Sequence, residues 1–465
     1  MRDAGRTILA LLLAVVLMGC GEKHNALSHE LTSFVKSKQV QAKALASAQG
    51  AKWPASADKL FGAILADKHS AATNLFAQLE REHSNSPVVP AGIQWVKDRL
   101  EKIGWYTPSP NAFQTEAWQP LIEAYWAYQN NRTWQRPHLE MAVHEIVNVI
   151  PSNSVYFGGT DPGRFAITAA MQSHQDGRPF FVLTQNALAD GTYLAYLSSM
   201  FSNSIYVPTT TDSQKAFETY LVEAQKRAAA GTLKKAESVA VGGGSVSVSG
   251  IGAVMEINAL IARVIFDRNP QREFYLEQSW ALTWTYPHLV PHGPIFKINR
   301  EPLDRLTDSM LQDDRAYWSN QCVRLIGNSL AQTASIQSVC DFVEKTYGNP
   351  IASEKIQHYL QDKPAQEFFS KLRHSVADVY LWRCSEATET DEKQRMLDEC
   401  LLAFGQAFAL GPGNAQLVGD YIGMLAQIHR FDDAERIARV AGRVNPANAS
   451  LLQWIAEQRN KARSP

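Results

Sequence analysis

The rhythm of apolar residues changes twice along this chain, near His138 and near Arg300, and those changes constrain the fold more than any bulk property. From Lys59 to Val149 apolar positions recur at helical spacing: Leu60, Ile64 and Leu65, then Leu75, Leu79, Val96, Leu100 and Ile103. Between His138 and Arg300 short apolar runs alternate with longer periodic stretches. Ser154–Phe157, Pro179–Leu183 and Ile205–Val207 read as strands, and Leu139–Ile150, Arg164–His174 and Asp190–Phe201 as helices between them. That alternation predicts βαβ units and a parallel sheet. A long helix over Asp212–Ala230, capped by Thr211 or Asp212, comes next. Val239, Val241, Val246 and Val248 then alternate about Gly242-Gly243-Gly244, as in a hairpin. Val254, Ile257, Ile261, Val264 and Ile265 share one helix face, and Glu273–Leu276 and Pro294–Ile298 read as closing strands. After Arg300 the helical rhythm returns to the end. The fold class expected is α/β plus α, with a Rossmann-like centre between two helical regions.

The N-terminus carries a different signal. Arg2 and Arg6 precede an apolar run from Ile8 to Leu17, which is too short to cross a hydrocarbon layer of roughly 30 Å. It has the form of a cleaved leader. Its end, Leu17-Met18-Gly19-Cys20, resembles a bacterial lipoprotein signal. The resemblance implies cleavage before Cys20, a lipid on its sulfur, and a periplasm-facing protein in the cell envelope. Because Gly21 rather than aspartate follows, the sorting rules of such proteins imply the outer membrane. A plain secretory leader with an incidental cysteine is the other reading. Residues 21–58 are polar and rich in Lys, Gln, Ala and Ser, with one weak helical stretch, which suits a flexible tether.

At the other end, Pro412-Gly413-Asn414-Ala415 recurs 34 residues later as Pro446-Ala447-Asn448-Ala449. Ala407 and Ala441 each stand five residues before the proline, Cys400 and Ala434 share a small-residue position, and Phe404 supplies an aromatic where Ala438 stands in the second unit. The pattern resembles the tetratricopeptide repeat, whose stacked hairpins present a groove for a protein partner. The expected organisation is 1–20 leader, 21–58 tether, 59–137 helical region, 138–300 α/β domain, 301–365 helical linker and 366–465 helical repeats.

With a net charge of −1, no overall field recruits nucleic acid. Trp95, Trp105, Trp118, Trp126 and Trp134 form a stripe that reads as interhelical core before it reads as a sugar platform. Cys322, Cys340, Cys384 and Cys400 allow two disulfides, and their spacings of 18 and 16 residues favour Cys322–Cys340 and Cys384–Cys400. Four small core residues is the alternative, and no metal-site spacing occurs among them.

The sharpest local signal is Ser154-Val-Tyr-Phe-Gly-Gly-Thr-Asp-Pro-Gly-Arg164, a strand running through a glycine-rich turn into a helix. In an open α/β sheet it sets Gly158, Gly159, Thr160, Asp161 and Arg164 at the carboxyl edge, where ligands bind. The turn lacks GxGxxG and the Lys-Ser/Thr of a phosphate loop, so no nucleotide cofactor is expected. Thr184-Gln185-Asn186 and Asp190 emerge at the same edge. Asp161, Arg164, Gln185, Asn186 and Asp190 are therefore the candidate ligand-binding residues. Arg164 would fix an anionic or hydroxyl-rich ligand and the amides would read hydroxyls. A purely structural turn, with Asp161 as helix cap and Arg164 paired to a carboxylate, is the competing reading.

His288 and His292 could bind a metal on a helix, but Pro287 and Pro291 forbid a regular helix there. Position 148 is Asn, so His144-Glu145 starts no HExxH, and no GxSxG occurs. Asp313-Asp314 and Asp432-Asp433 read as solvated faces. No complete catalytic constellation is present, and an interaction or scaffold module is the function expected; the alternative is a small-molecule or glycan-binding module, or a degenerate enzyme, using the strand-end pocket of the α/β domain.

The turn itself, Arg178-Pro-Phe-Phe-Val-Leu-Thr-Gln-Asn-Ala-Leu-Ala-Asp-Gly-Thr-Tyr193 and Trp284-Thr-Tyr-Pro-His-Leu-Val-Pro-His-Gly293 carry one more likeness. Together they resemble the extracytoplasmic soluble portion of uncharacterised glycosyltransferase-39-like membrane proteins. No stretch here corresponds to the membrane part that would hold the transferase site. The resemblance thus implies architecture and not sugar transfer.

Overall fold

The computed structural model describes residues 27–83, 116–171, 176–234, 237–242, 245–249, 251–278, 282–330, 334–348 and 354–463. The leader with Cys20 lies outside them, as do Trp95, Trp105, Val96, Leu100 and Ile103. Among the described residues no helix is long and apolar enough to cross a membrane.

The expected tether is corrected by helix α1 (His29–Ala48), started by the Ser28 hydroxyl, which accepts from the Leu31 N–H at 3.1 Å. Leu31, Phe34, Val35, Ala42 and Ala46 return on one buried face, and Lys38 shares it. The polar residues that made this stretch read as a tether occupy the other face. Lys38 Nζ sits 2.6 Å from Glu123 Oε2 on α4 (Trp118–Thr133) and donates to the Tyr196 hydroxyl at 2.9 Å. Tyr196 in turn donates to Glu123 at 2.9 Å. Removing one partner of such a buried pair costs about 3–5 kcal/mol, so this network pins α1 to the body. With α2 (Ala55–Leu65) and α3 (His69–His83), α1 and α4 enclose a core of Leu60, Phe61, Ile64, Phe76, Leu79 and Tyr128. Trp118 stacks on Phe76 with ring centres 5.8 Å apart, and Trp126 on Phe165 at 6.3 Å. These two tryptophans are half-buried and pack against that core.

Helix α5 (Arg136–Val147) leads into strand β1 (Val155–Gly158). The five-stranded sheet has the order β2-β1-β5-β7-β6, with β2 Phe181–Thr184, β5 Phe274–Leu276, β6 Leu289–His292 and β7 Ile295–Ile298. Only β2, β1 and β5 are parallel, whereas β7 and β6 extend the sheet antiparallel. The wholly parallel sheet expected is thus a mixed one. Helices α7 (Gly191–Phe201), α8 (Thr210–Ala230) and α9 (Ile251–Arg268) lie between β2 and β5. Thr209, not Thr211 or Asp212, caps α8, and Asp212 answers as the third residue of a capping box. The hairpin of β3 (Ser238–Gly242) and β4 (Ser245–Ser249) forms a separate ribbon.

Ile205–Val207 is not a strand. The Asn269 side chain accepts from the Tyr206 N–H at 2.7 Å and donates to the Tyr206 carbonyl at 3.1 Å, which supplies what a neighbouring strand would have given.

The presumed linker is also a packed layer. Helices α10 (Asp308–Ile326), α11 (Ile336–Gly348) and α12 (Glu354–Gln361) bury Trp318, Leu325, Val339, Val343 and Tyr359 in the same core as the sheet's Phe157 and Phe274. Then follow α13 (Lys363–Glu386), α14 (Thr390–Leu410), α15 (Ala415–Gln427), α16 (Phe431–Val444) and α17 (Leu451–Arg463). That core continues through them to Ile455. The α/β body and the C-terminal helices thus share one contiguous hydrophobic core.

Cys322, Cys340, Cys384 and Cys400 are free thiols, which corrects the disulfide expectation; three of them are core residues and Cys384 is half-buried. Cys322, Cys340 and Cys400 are buried, and burial pushes the Cys322 and Cys340 thiols up to about 12. Asp314 is corrected too, because it is buried against Arg373 with Nη1 2.7 Å from Oδ2, while its neighbour Asp313 stays exposed.

Candidate functional site

The chain passes from β1 to β2 on one side of β1, and from β2 to β5 on the other. The crevice between the carboxyl ends of β1 and β5 is therefore the switch point where open α/β sheets receive ligands. Gly159 and Thr160 follow β1 there, and Glu277 and Gln278 follow β5.

The Glu277 carboxylate fills the turn after β1. It accepts from the Gly159 N–H at 2.5 Å, from the Thr160 N–H at 2.7 Å and from the Thr160 hydroxyl. Glu277 has no solvent exposure, and burial raises its carboxyl above the ordinary range. The hydrogen bonds from Thr160 and Gly159, and the charge of Lys371 on α13, pull partly back. Two successive amides of this kind make an anion nest. Here the chain's own carboxylate occupies it. A Cβ on Gly163 would overlap that carboxylate, so a glycine is required at this position.

The turn continues as a π-helical turn, Pro162–Ala166, and then α6 (Ile167–Ala170), in place of the regular helix expected over Arg164–His174. Residues 172–175 of that stretch lie outside the described ones. Asp161 precedes the π turn without capping it through its side chain, and pairs instead with Arg164. Arg164 also donates to Asn186 Oδ1 at 2.8 Å. The Arg164 side chain is 21% exposed and that of Asp161 44%. Asp190 stands apart as the cap of α7, accepting from the Thr192 N–H at 2.8 Å.

Gln185 turns inward from the short 3-10 helix after β2, Gln185–Ala187, while Asn186 beside it reaches Arg164. The Gln185 and Gln278 amide nitrogens crowd the place a Cβ on Gly159 would take. Gln185 is 1% exposed and Gln278 2%. Neither Gln185 amide atom, nor Gln278 Oε1, has a hydrogen-bond partner.

Three of the five sequence candidates, Asp161, Arg164 and Asn186, thus form one clamp, Gln185 lies beneath it and Asp190 does not join. Glu277 and Gln278 were missed. The signal was available in Phe274-Tyr275-Leu276-Glu277-Gln278, a polar pair directly after an apolar strand, as Gln185-Asn186 follows β2.

His288 and His292 are held by backbone carbonyls, Nδ1 2.9 Å from Asn299 O and Nε2 2.9 Å from Val149 O. Among the described residues no group of three or more His, Cys, Asp or Glu is placed to hold a metal ion. Comparison with protein-family models, curated proteins and solved structures finds no match to this chain.

Proposed function

We propose that this chain is a lipid-anchored extracytoplasmic interaction module, held in the cell envelope through Cys20 and meeting a protein partner on its C-terminal helices. On this reading the body is a Rossmann-like platform, residues 366–465 are tetratricopeptide-like hairpins, and the outer membrane is the destination. The likeness to the soluble portion of glycosyltransferase-39-like proteins enters as architecture alone.

One observation carries the reading. Helices α11, α12 and α16 and the start of α13 frame a cleft of about 770 Å³, lined by Tyr347, Leu360, Lys363, Val440, Arg443 and Val444 among others. Glu344, Gln357, Gln361, Lys363 and Arg443 stand among these apolar side chains, Glu344 pairing with Arg443, and aromatic and Arg side chains such as Tyr347 and Arg443 are enriched at protein interfaces. Support comes from the hairpins themselves, since α14 ends at Leu410 and α16 at Val444, one repeat apart. Phe404 stacks on Tyr421 with ring centres 5.0 Å apart, and Ala407, Ala434 and Ala441 are fully buried where the helices meet.

Deleting the C-terminal helices would open the shared core, so the test uses point changes in the full chain. A photo-crosslinking residue at the exposed Gln361 of the cleft lining is expected to trap a discrete product in cells, and Arg443→Glu to abolish it. The same residue at the exposed Val222 of α8 is expected to trap none. Identical products from both positions would overturn the reading. Cys20→Ser is expected to move the protein from the membrane to the soluble fraction.

A further inference from the structure

We propose that α1 lies along the surface of the anchoring membrane, with its exposed stripe of His29, Ser33, Lys36, Val40, Lys43 and Ser47 facing anionic lipid headgroups. The proposal rests on the Cys20 anchor and not on the partner cleft. Ser28, the cap of α1, stands eight residues after Cys20, and that much fully extended chain spans at most about 28 Å. The 20 residues of α1 are themselves about 30 Å long. A lipid at Cys20 therefore keeps the first turn of α1 within one helix length of the headgroups. On the opposite face the Lys38–Glu123 pair fixes α1 to the body, so the direction of the stripe is set.

The six stripe residues recur at spacings of four and three, which aligns them along one side of the helix, and all six are exposed. Val40, at 70%, is the most exposed large apolar residue among the described ones. None of the six is acidic, and Glu30 falls about a third of a turn away. Residues 27–65 hold five lysines against Glu30 and Asp58, in a chain whose net charge is −1. Lys38 is buried against Glu123 and Lys43 reaches Asp58 at 2.7 Å, while Lys36, Lys52 and Lys59 stand exposed around them. Each lysine held near an anionic leaflet strengthens the attraction about fivefold, within a screening distance of about 8 Å. A second copy of α1 is disfavoured as the occupant, because a single valine in the stripe makes no apolar seam.

The test uses the full lipidated chain in vesicles of phosphatidylethanolamine and phosphatidylglycerol that carry a nitroxide on some headgroups. Phosphatidylcholine vesicles with the same nitroxide are the uncharged counterpart. A genetically encoded fluorescent residue replaces Val40 in one variant and Val222, exposed on α8, in another. At Val40 it is expected to lose most of its emission in the anionic vesicles and to keep it in the neutral ones. At Val222 it is expected to keep its emission in both. Lys36→Glu with Lys43→Gln is expected to restore the emission at Val40. Should loss of the Lys43–Asp58 pair unsettle α1, Lys36→Glu alone carries the comparison. Flotation with the vesicles reads the anchor separately. Protein that does not float overturns the anchor reading and this proposal with it. Floating protein that stays bright at Val40, is quenched there as strongly in neutral vesicles or in the lysine variant, or is quenched equally at Val222, overturns this proposal alone.

Discussion

Glu277 at the strand ends and Asp314 among the C-terminal helices are both buried carboxylates, and the molecule holds them in opposite ways. Glu277 receives two backbone N–H groups and a hydroxyl, all from the turn after β1. Asp314 receives the Arg373 guanidinium at 2.7 Å and the Tyr380 hydroxyl at 2.8 Å, from a helix distant in sequence. Arg373 also donates through Nε to Gln406 Oε1 at 2.9 Å and lies over the Trp318 ring. Dipoles offset only part of the cost of burying a charge, so Glu277 keeps a raised proton affinity. A fixed cation does more, but it makes each partner depend on the other. The strand-end carboxylate is therefore held by dipoles of a single turn, and the helical carboxylate by a cation from another helix.

The largest effect follows from breaking the ion pair. Arg373→Met should destabilise the protein by about 3–5 kcal/mol in chemical denaturation, because Asp314 is left buried and charged. Adding Asp314→Leu should recover most of that loss. Equal losses in the single and double variants would mean that Arg373 acts through its packing on Trp318, and the contrast with Glu277 would lapse.

A smaller effect tests how tightly the turn fits its carboxylate. Gly163→Ala forces a Cβ into Glu277 and should cost about 1–3 kcal/mol. In a Glu277→Ala background the same change should cost nearly nothing, read as a coupling energy in a double-mutant cycle. Simple additivity would show that the turn and the carboxylate are independent.

The smallest effect is a slope against pH. Folding raises the Glu277 carboxyl above its ordinary value of 4.5, so the folded state binds its proton more tightly than the unfolded chain. This group's contribution is then most favourable below pH 4.5 and is lost as pH rises through the raised value. Glu277→Gln should remove that slope, since its amide oxygen can accept the two N–H groups and its N–H₂ can face the Thr160 hydroxyl. Denaturation midpoints at a series of pH values give the measurement. A wild type that gains stability relative to the variant across this window would reverse the assignment.

Much of this architecture is legible in the chain. Val155–Gly158 and Phe181–Thr184 announce themselves as apolar runs bounded by turns, and the Val239–Val248 alternation gives its hairpin. The helix starting after Asp190 is equally plain. Three of the misreadings share one cause. Ile205–Val207 has strand composition, but Asn269 satisfies its backbone from a distant helix end. Lys38 and Asp314 look solvent-facing, and each is buried only because a partner far along the chain meets it.

What the sequence by itself determined, then, is much of what local periodicity and local chemistry set: most of the helices and the β1 turn with its glycines. What only the tertiary structure decided is the identity of the long-range partners. Glu277 arrives in the β1 turn through a crossover of some hundred residues, and Arg373 reaches Asp314 across 59. Periodicity reports which face of an element is buried, not what it is buried against. The charge of a buried side chain is tolerated only through that unseen neighbour, which is why the site's central carboxylate could not be read from the residues beside it.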